Sequence, residues 1–164
     1  MVNQGAILDI VHEVAQAAGV LGMVGGQVVD VESEGKEVDL PTLQYIHTHK
    51  TGAMISVSVR MGAKLGGAKE ESLMALTRYG ERVGLAFQIA DDILNVEGKS
   101  HSLGKSTGTD VFKGKATYPS LFGLEESKKR AKELVGLAVE ALSPFGSEGD
   151  PLREIARFVV VREY

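Results

Sequence analysis

The residues with the plainest chemical meaning sit in one short run, Phe87-Gln88-Ile89-Ala90-Asp91-Asp92-Ile93-Leu94-Asn95. Placing them at about 100° per residue around a helix, with Gln88 as origin, puts Asp91 at about 300°, Asp92 at about 40° and Asn95 at about 340°. The four polar groups therefore share one stripe. Every other residue from Leu85 to Val96 is apolar, so the helix is expected to be buried on most sides, with two adjacent carboxylates facing an interior cavity. Ionised carboxylates removed from water cost on the order of several kcal/mol each unless they meet cations. Oxygen ligands of this kind suit a hard ion, and Mg²⁺ is commonly held by one or two carboxylates together with substrate phosphates. The plainer alternative is a pair of surface aspartates near a helix end, against which the apolar flanks argue.

The segment C-terminal to the stripe fits the same chemistry. Residues 98 to 117 hold four glycines and the lysines Lys99, Lys105, Lys113 and Lys115 against one carboxylate, Asp110. This reads as a long mobile loop able to close over a phosphate through backbone N–H and ammonium groups. The other reading is a loop that its lysines merely keep solvated. His47 and His49 invite a metal reading but point about 200° apart on a helix, so they cannot share one ion. Met54, Met61 and Met74 read as core filler, and the Lys/Glu run from Glu125 to Glu133 as a solvated face.

The elements that must position these groups are helical by length and spacing. Ile7, Ile10, Val11, Val14 and Ala18 recur at helical intervals. The glycine-rich stretch 19 to 26 can be a turn or a closely packed helix, and Val31 to Leu40 reads as an acidic, polar loop. Pro41, Pro119 and Pro151 suit helix starts. For Pro41 to Leu65 the length favours a helix, while Ile55, Val57 and Val59 alternating with Ser56 and Ser58 equally suit a strand. Glu70 to Val96 is a long helical segment expected to stop at Gly98, and Pro151 to Glu163 a final helix.

With 164 residues, 43% apolar and 24% charged, the chain has the composition of one all-α globular domain. Its formal charge of −4 argues against a general nucleic-acid binder. Without cysteine there is no disulfide framework, thiolate nucleophile or thiolate metal site. No uninterrupted apolar run approaches the roughly 20 residues needed to span a bilayer, and residues 1 to 19 lack the basic start of a secretory signal. A cytoplasmic chain without a membrane span is expected.

Taken together, these motifs resemble the C-terminal half of trans-isoprenyl diphosphate synthases (the polyprenyl synthetase family), closest to the bacterial farnesyl diphosphate synthases or geranyltranstransferases. Gly22-Met23 with Gly26-Gln27 and Asp30 is similar to the family's GM-x-x-GQ-x-x-D segment, and His47 with Lys50-Thr51-Gly52 to its H-x-x-K-T-G helix. Phe87-Gln88 with Asp91-Asp92 resembles the second aspartate-rich motif, FQ-x-x-DD-x-x-D. Gly104-Lys105, Gly108, Asp110, Gly114-Lys115 and Thr117-Tyr118-Pro119 resemble the loop GK-x-x-G-x-D-x-x-x-GK-x-TYP. Asn95 stands where the motif has its last carboxylate.

The resemblance implies the isoprenoid synthase fold, antiparallel helices around a deep cavity, with residues 1–164 as the C-terminal portion of a single domain apparently truncated at its N-terminus. It implies a Mg²⁺-dependent prenyltransferase that condenses isopentenyl diphosphate with an allylic diphosphate: the allylic C–O bond ionises, the second substrate attacks the cation, and a proton is lost. Among metal ligands Asp91 is implied as principal, with Asp92 and Asn95 beside it. Lys50 and Lys105 are implied to contact the leaving diphosphate, and Lys115 to close over it less directly. Gln88 and Thr51 would turn oxygen dipoles towards the allylic cation, while Asp110 orients the loop at the substrate. A farnesyl product is favoured and a homodimer expected. Since Asp91-Asp92 is the only adjacent aspartate pair, the first motif is missing and the chain alone is expected to be inactive. The competing reading is a non-catalytic or degenerate subunit that binds isoprenyl diphosphates or modulates a complete synthase.

Overall fold

The computed structural model describes residues 4–102 and 116–162, with side chains described for 5–98 and 116–162. The described residues form α1 (Gln4–Ala18), α2 (Met23–Glu32), α3 (Leu40–His47), a π-helical turn (Thr48–Gly52), α4 (Ala53–Leu65), α5 (Glu70–Ser102), α6 (Tyr118–Phe122), α7 (Leu124–Ala141), a 3₁₀ segment (Ser143–Gly149) and α8 (Asp150–Val161). No strand occurs among them.

Capping explains where several of these begin. Asp39 accepts the Thr42 N–H at 3.0 Å and Pro41 occupies the first turn of α3. Thr117 and Ser120 form a capping box that opens α6 beside Pro119. The loop expected from Val31 starts two residues later, because α2 runs to Glu32. Gly98 does not end α5, which continues to Ser102; one glycine costs a helix only about 1 kcal/mol, and the ion pair between Glu97 and Lys128 of α7, at 2.8 Å, holds the preceding turn. Residues 103–115 of the expected loop, with Lys105, Asp110, Lys113 and Lys115, lie outside the described residues. Ile55 to Val59 belong to α4 and not to a strand: Ser58 donates back to the Met54 carbonyl at 2.7 Å, while Ile55 and Val59 pack on the core. The last helix stops at Val161, where Arg162 turns extended.

Cross-helix contacts show neighbours running antiparallel. Glu13 and Asp9 of α1 meet Arg60 and Lys64 of α4 in reversed order, and Arg82 and Glu97 of α5 meet Leu137 and Lys128 of α7 likewise. α5 is central because it serves two cores. Tyr79, Val83, Ala86 and Ala90 pack against α7 and α8, and Ile89 and Ile93 pack with Leu43, Tyr118 and Ala131. Ile89 is 1% exposed, a placement that stabilises by about 2 kcal/mol relative to an exposed one. Tyr79 donates its hydroxyl to the Leu152 carbonyl, and burial pushes that phenol up to about 12. Met74 is not core filler, being 46% exposed, whereas Met54 and Met61 are half-buried.

By length and composition, the stretch 5–32 would suffice to cross a membrane, a property that counting uninterrupted runs does not register. It is broken at 19–22 into two helices. Two of its acidic groups are tied to the bundle, Glu13 to Arg60 and Lys64, and Asp30 to Lys50.

Candidate functional site

The α3–π–α4 rod lies along α5, and glycine sets how closely. A Cβ on Gly84 would stand 3.0 Å from the Gly52 Cα, and one on Gly80 3.0 Å from the Ser56 Cα. From the other side, a Cβ on Gly26 of α2 would stand 2.3 Å from the Lys50 backbone nitrogen. The π turn is thus clamped between α2 and α5. Its wider winding has a local cause. His49 Nδ1 lies 2.9 Å from the Tyr45 carbonyl, so that nitrogen carries the proton, and Thr48 Oγ1 donates to the Gln44 carbonyl at 2.7 Å. Side-chain donors thereby compete for carbonyls of the ordinary α ladder. Such turns recur at functional sites.

Three groups of polar side chains surround this clamp. In the first, Asp92 Oδ2 accepts the Tyr118 N–H at 2.9 Å and lies 3.4 Å from His47 Nε2. His47 stacks on Tyr118, with ring centres 5.5 Å apart, and Gln44 donates to the Tyr118 hydroxyl. Burial raises the Tyr118 phenol above its ordinary value. Asp92 is therefore tied to both the first residue of α6 and the last residue of α3, just before the π turn. In the second group, Lys50 Nζ stands 2.7 Å from Oδ2 of the buried Asp30. In the third, Asp91 is 47% exposed on the open side of α5; Asn95 Nδ2 donates to it at 3.2 Å, and Arg162 Nη2 stands 3.7 Å from its Oδ1.

The two carboxylates expected to face one cavity are consequently divided: Asp92, with 14% of its side chain exposed, turns towards the bundle and Asp91 outwards. Gln88 is half-buried one turn earlier on α5, and Thr51 half-buried in the π turn. The histidines go separate ways, His47 to Asp92 and His49 onto the Tyr45 ring at 3.9 Å. Three partners were not legible in advance: His47 as companion of Asp92, Tyr118 as its N–H donor, and Arg162. Tyr118 carried a signal as part of Thr117-Tyr118-Pro119 and His47 as part of His47-x-x-Lys50-Thr51-Gly52, though neither motif named its partner; Arg162 carried none. Lys105, Asp110 and Lys115 lie outside the described residues.

Among the described residues, no group of three or more His, Cys, Asp or Glu is placed to hold a metal ion. The donor set at Asp91 suits a different arrangement. One exposed carboxylate with the Asn95 amide beside it, whose ends exchange by a simple flip, offers oxygen ligands to a hard cation that shares its shell with a phosphate. The residues fit Mg²⁺ held jointly with an anionic ligand. A cleft of about 730 Å³ opens elsewhere, between α1, α4, α5 and α7, lined by Gln16, Thr48, Ser56, Arg60 and Leu85 among others; only its π-turn wall belongs to the clamp.

Comparison with known proteins points the same way. The sequence profile described as polyprenyl synthetase matches residues 2–143. A geranylgeranyl diphosphate synthase of Cyanophora paradoxa is 46% identical over 157 residues, 95% of this chain and 52% of that protein. The structure of an FPP/GFPP synthase from Zymomonas mobilis superposes with a TM-score of 0.81 at 37% identity, over 97% of this chain and 52% of that one. A geranyltransferase of Helicobacter pylori complexed with magnesium and isoprenyl diphosphate superposes with a TM-score of 0.73 at 28% identity, over 98% and 52%. The chain spans about half the length of the curated relatives it matches.

Proposed function

Because the chain belongs to the polyprenyl synthetase family, we propose that it carries the second-motif side of a prenyltransferase active site, for the condensation of isopentenyl diphosphate with an allylic diphosphate, farnesyl diphosphate being the favoured product. The observation that carries this reading is the division of labour in the aspartate pair: Asp92 builds the wall, and Asp91 with Asn95 is left on the open side. Asp91 and Asn95 would hold Mg²⁺, which would supply charge neutralisation to a diphosphate leaving group.

The chain's own residues supply the rest. Lys50 brings an ammonium held in place by Asp30, so its charge is oriented before an anion arrives and shared with it afterwards. Gln88 and Thr51 present oxygen dipoles from α5 and the π turn to a cationic carbon skeleton. Lys105 and Lys115 contribute further positive charge to the diphosphate, and Asp110 orients them. Asp92 supports metal binding from the side, through the wall it holds. A homodimer and a cytoplasmic location belong to the same reading.

Calorimetry with an allylic diphosphate, or a bisphosphonate mimic, in the presence of Mg²⁺ tests it. Binding is expected to disappear with EDTA and with Asp91→Asn; undiminished binding by a folded Asp91→Asn variant would sink the assignment. Incorporation of radiolabelled isopentenyl diphosphate separates a catalyst from a binding subunit. The chain alone is expected to show no useful turnover, because losing transition-state contacts worth about 4 kcal/mol slows a reaction roughly a thousand-fold. Turnover should return when the N-terminal half of a relative is added, and its persistent absence in the mixture favours the non-catalytic reading.

A further inference from the structure

Arg162 stands at the end of α8, its N–H bonded to the Phe158 carbonyl at 3.0 Å and its backbone turned extended. From there its side chain folds back onto α5. The guanidinium carbon lies 4.0 Å from the centre of the Phe87 ring, and Nη2 lies 3.7 Å from Asp91 Oδ1. Nε and Nη2 are both shielded from water, yet neither has a hydrogen-bond partner among the described residues. Asp91 thus has a cation beside it that is held by charge and by the face of an aromatic ring, without the paired hydrogen bonds that make an arginine–carboxylate bridge hard to break.

We propose that Arg162 is the resident counter-ion of Asp91, and that it and a divalent cation exclude each other at that carboxylate. The inference rests on Asp91 being a metal ligand, and adds what sets its affinity. A divalent ion on Oδ1 would lie within a few ångströms of the guanidinium, where two positive charges repel. Loading therefore requires the arginine to withdraw from Asp91. Its incompletely satisfied N–H groups keep the cost of withdrawal small. The arrangement keeps Asp91 neutralised when the ion is absent and makes metal affinity depend on a residue at the far end of the chain. Arg162 acts here as a positioning residue, through Asp91.

The test uses the whole chain and Mn²⁺ alone, with bound ion measured from the loss of the free-ion paramagnetic signal. Arg162→Gln is expected to bind Mn²⁺ about tenfold more tightly than the parent, equivalent to about 1.4 kcal/mol, while Arg162→Lys keeps the parent's affinity and Asp91→Asn loses binding. A second readout is amide hydrogen exchange over residues 158–162. Mn²⁺ should accelerate it in the parent, as the tether to Asp91 is released, and leave Arg162→Gln unchanged because no tether remains. Should Arg162→Gln fail to fold, the parent's exchange response and the lysine variant decide. Equal or weaker Mn²⁺ binding by Arg162→Gln, or no exchange response in the parent, overturns the counter-ion role while loss of binding in Asp91→Asn leaves the metal-ligand reading standing. Retained binding by Asp91→Asn, or no binding by any form at millimolar Mn²⁺, overturns both.

Discussion

Adjacent residues on a helix point about 100° apart, and that angle separates Asp91 from Asp92 in what they touch. Asp92 holds the Tyr118 N–H and lies against His47, so Asp92→Asn is expected to destabilise the fold by about 1–3 kcal/mol, the range for weakening a buried charged acceptor. Asp91→Asn should change stability by less than about 0.5 kcal/mol, as for an exposed site. Urea denaturation of the two variants checks the contrast, and comparable losses would show that both carboxylates are structural. A second residue-scale expectation concerns Glu13, whose hydrogen bond from Arg60, helped by Lys64, holds its carboxyl at about 2 instead of 4.5. The folded state binds this proton more weakly than the unfolded chain. Its stabilising contribution is therefore complete above pH 4.5 and lost as the pH falls towards 2. Glu13→Gln should flatten the dependence of the urea midpoint on pH in that window, leaving the neutral-pH slope unchanged.

At the scale of elements, the π turn depends on backbones approaching where side chains would not fit. Gly26→Ala would drive a Cβ into the Lys50 backbone and is expected to cost about 1–3 kcal/mol, as overpacking does, while weakening diphosphate binding through displacement of Lys50. Gly136 offers the opposite case, since it lies within α7 and, its own helix backbone aside, no described atom stands within 4 Å of an added Cβ. Gly136→Ala should stabilise by about 0.5–1 kcal/mol by favouring the helical backbone. Thermal denaturation of both variants, with calorimetry on the first, tests whether glycine acts by proximity at one site and merely as a weak helix former at the other.

For the whole molecule the conspicuous feature is the apolar surface on α1 and α2. Leu8 and Val11 are 71% and 59% exposed, and Val24, Val28 and Val31 are 43%, 49% and 53% exposed at helical spacing along α2. Exposed apolar side chains in this number mark association, and a second copy of the chain is the occupant expected here. Sedimentation should show concentration-dependent self-association, and Leu8→Lys with Val28→Lys together should shift the chain towards monomer without loss of helicity. An unchanged sedimentation profile would remove this face from the interface.

Some of this was readable before any fold was known. Helical period and proline starts located the helices, because both are local: the period reflects backbone geometry and the prolines a fixed φ. The polar stripe Gln88, Asp91, Asp92 and Asn95 was legible for the same reason. Three features required the third dimension. The strand-like alternation at Ile55 to Val59 was settled as helix by packing on the core, which neighbouring residues do not encode. Gly98 proved no terminator, since a salt bridge to a distant helix holds the turn before it. The partners of the two aspartates came from α3, α6 and the end of α8, brought to α5 by burial of two adjoining cores along it. A sequence declares which groups carry charge and how they are spaced along one element; which charge meets which is decided by how elements pack.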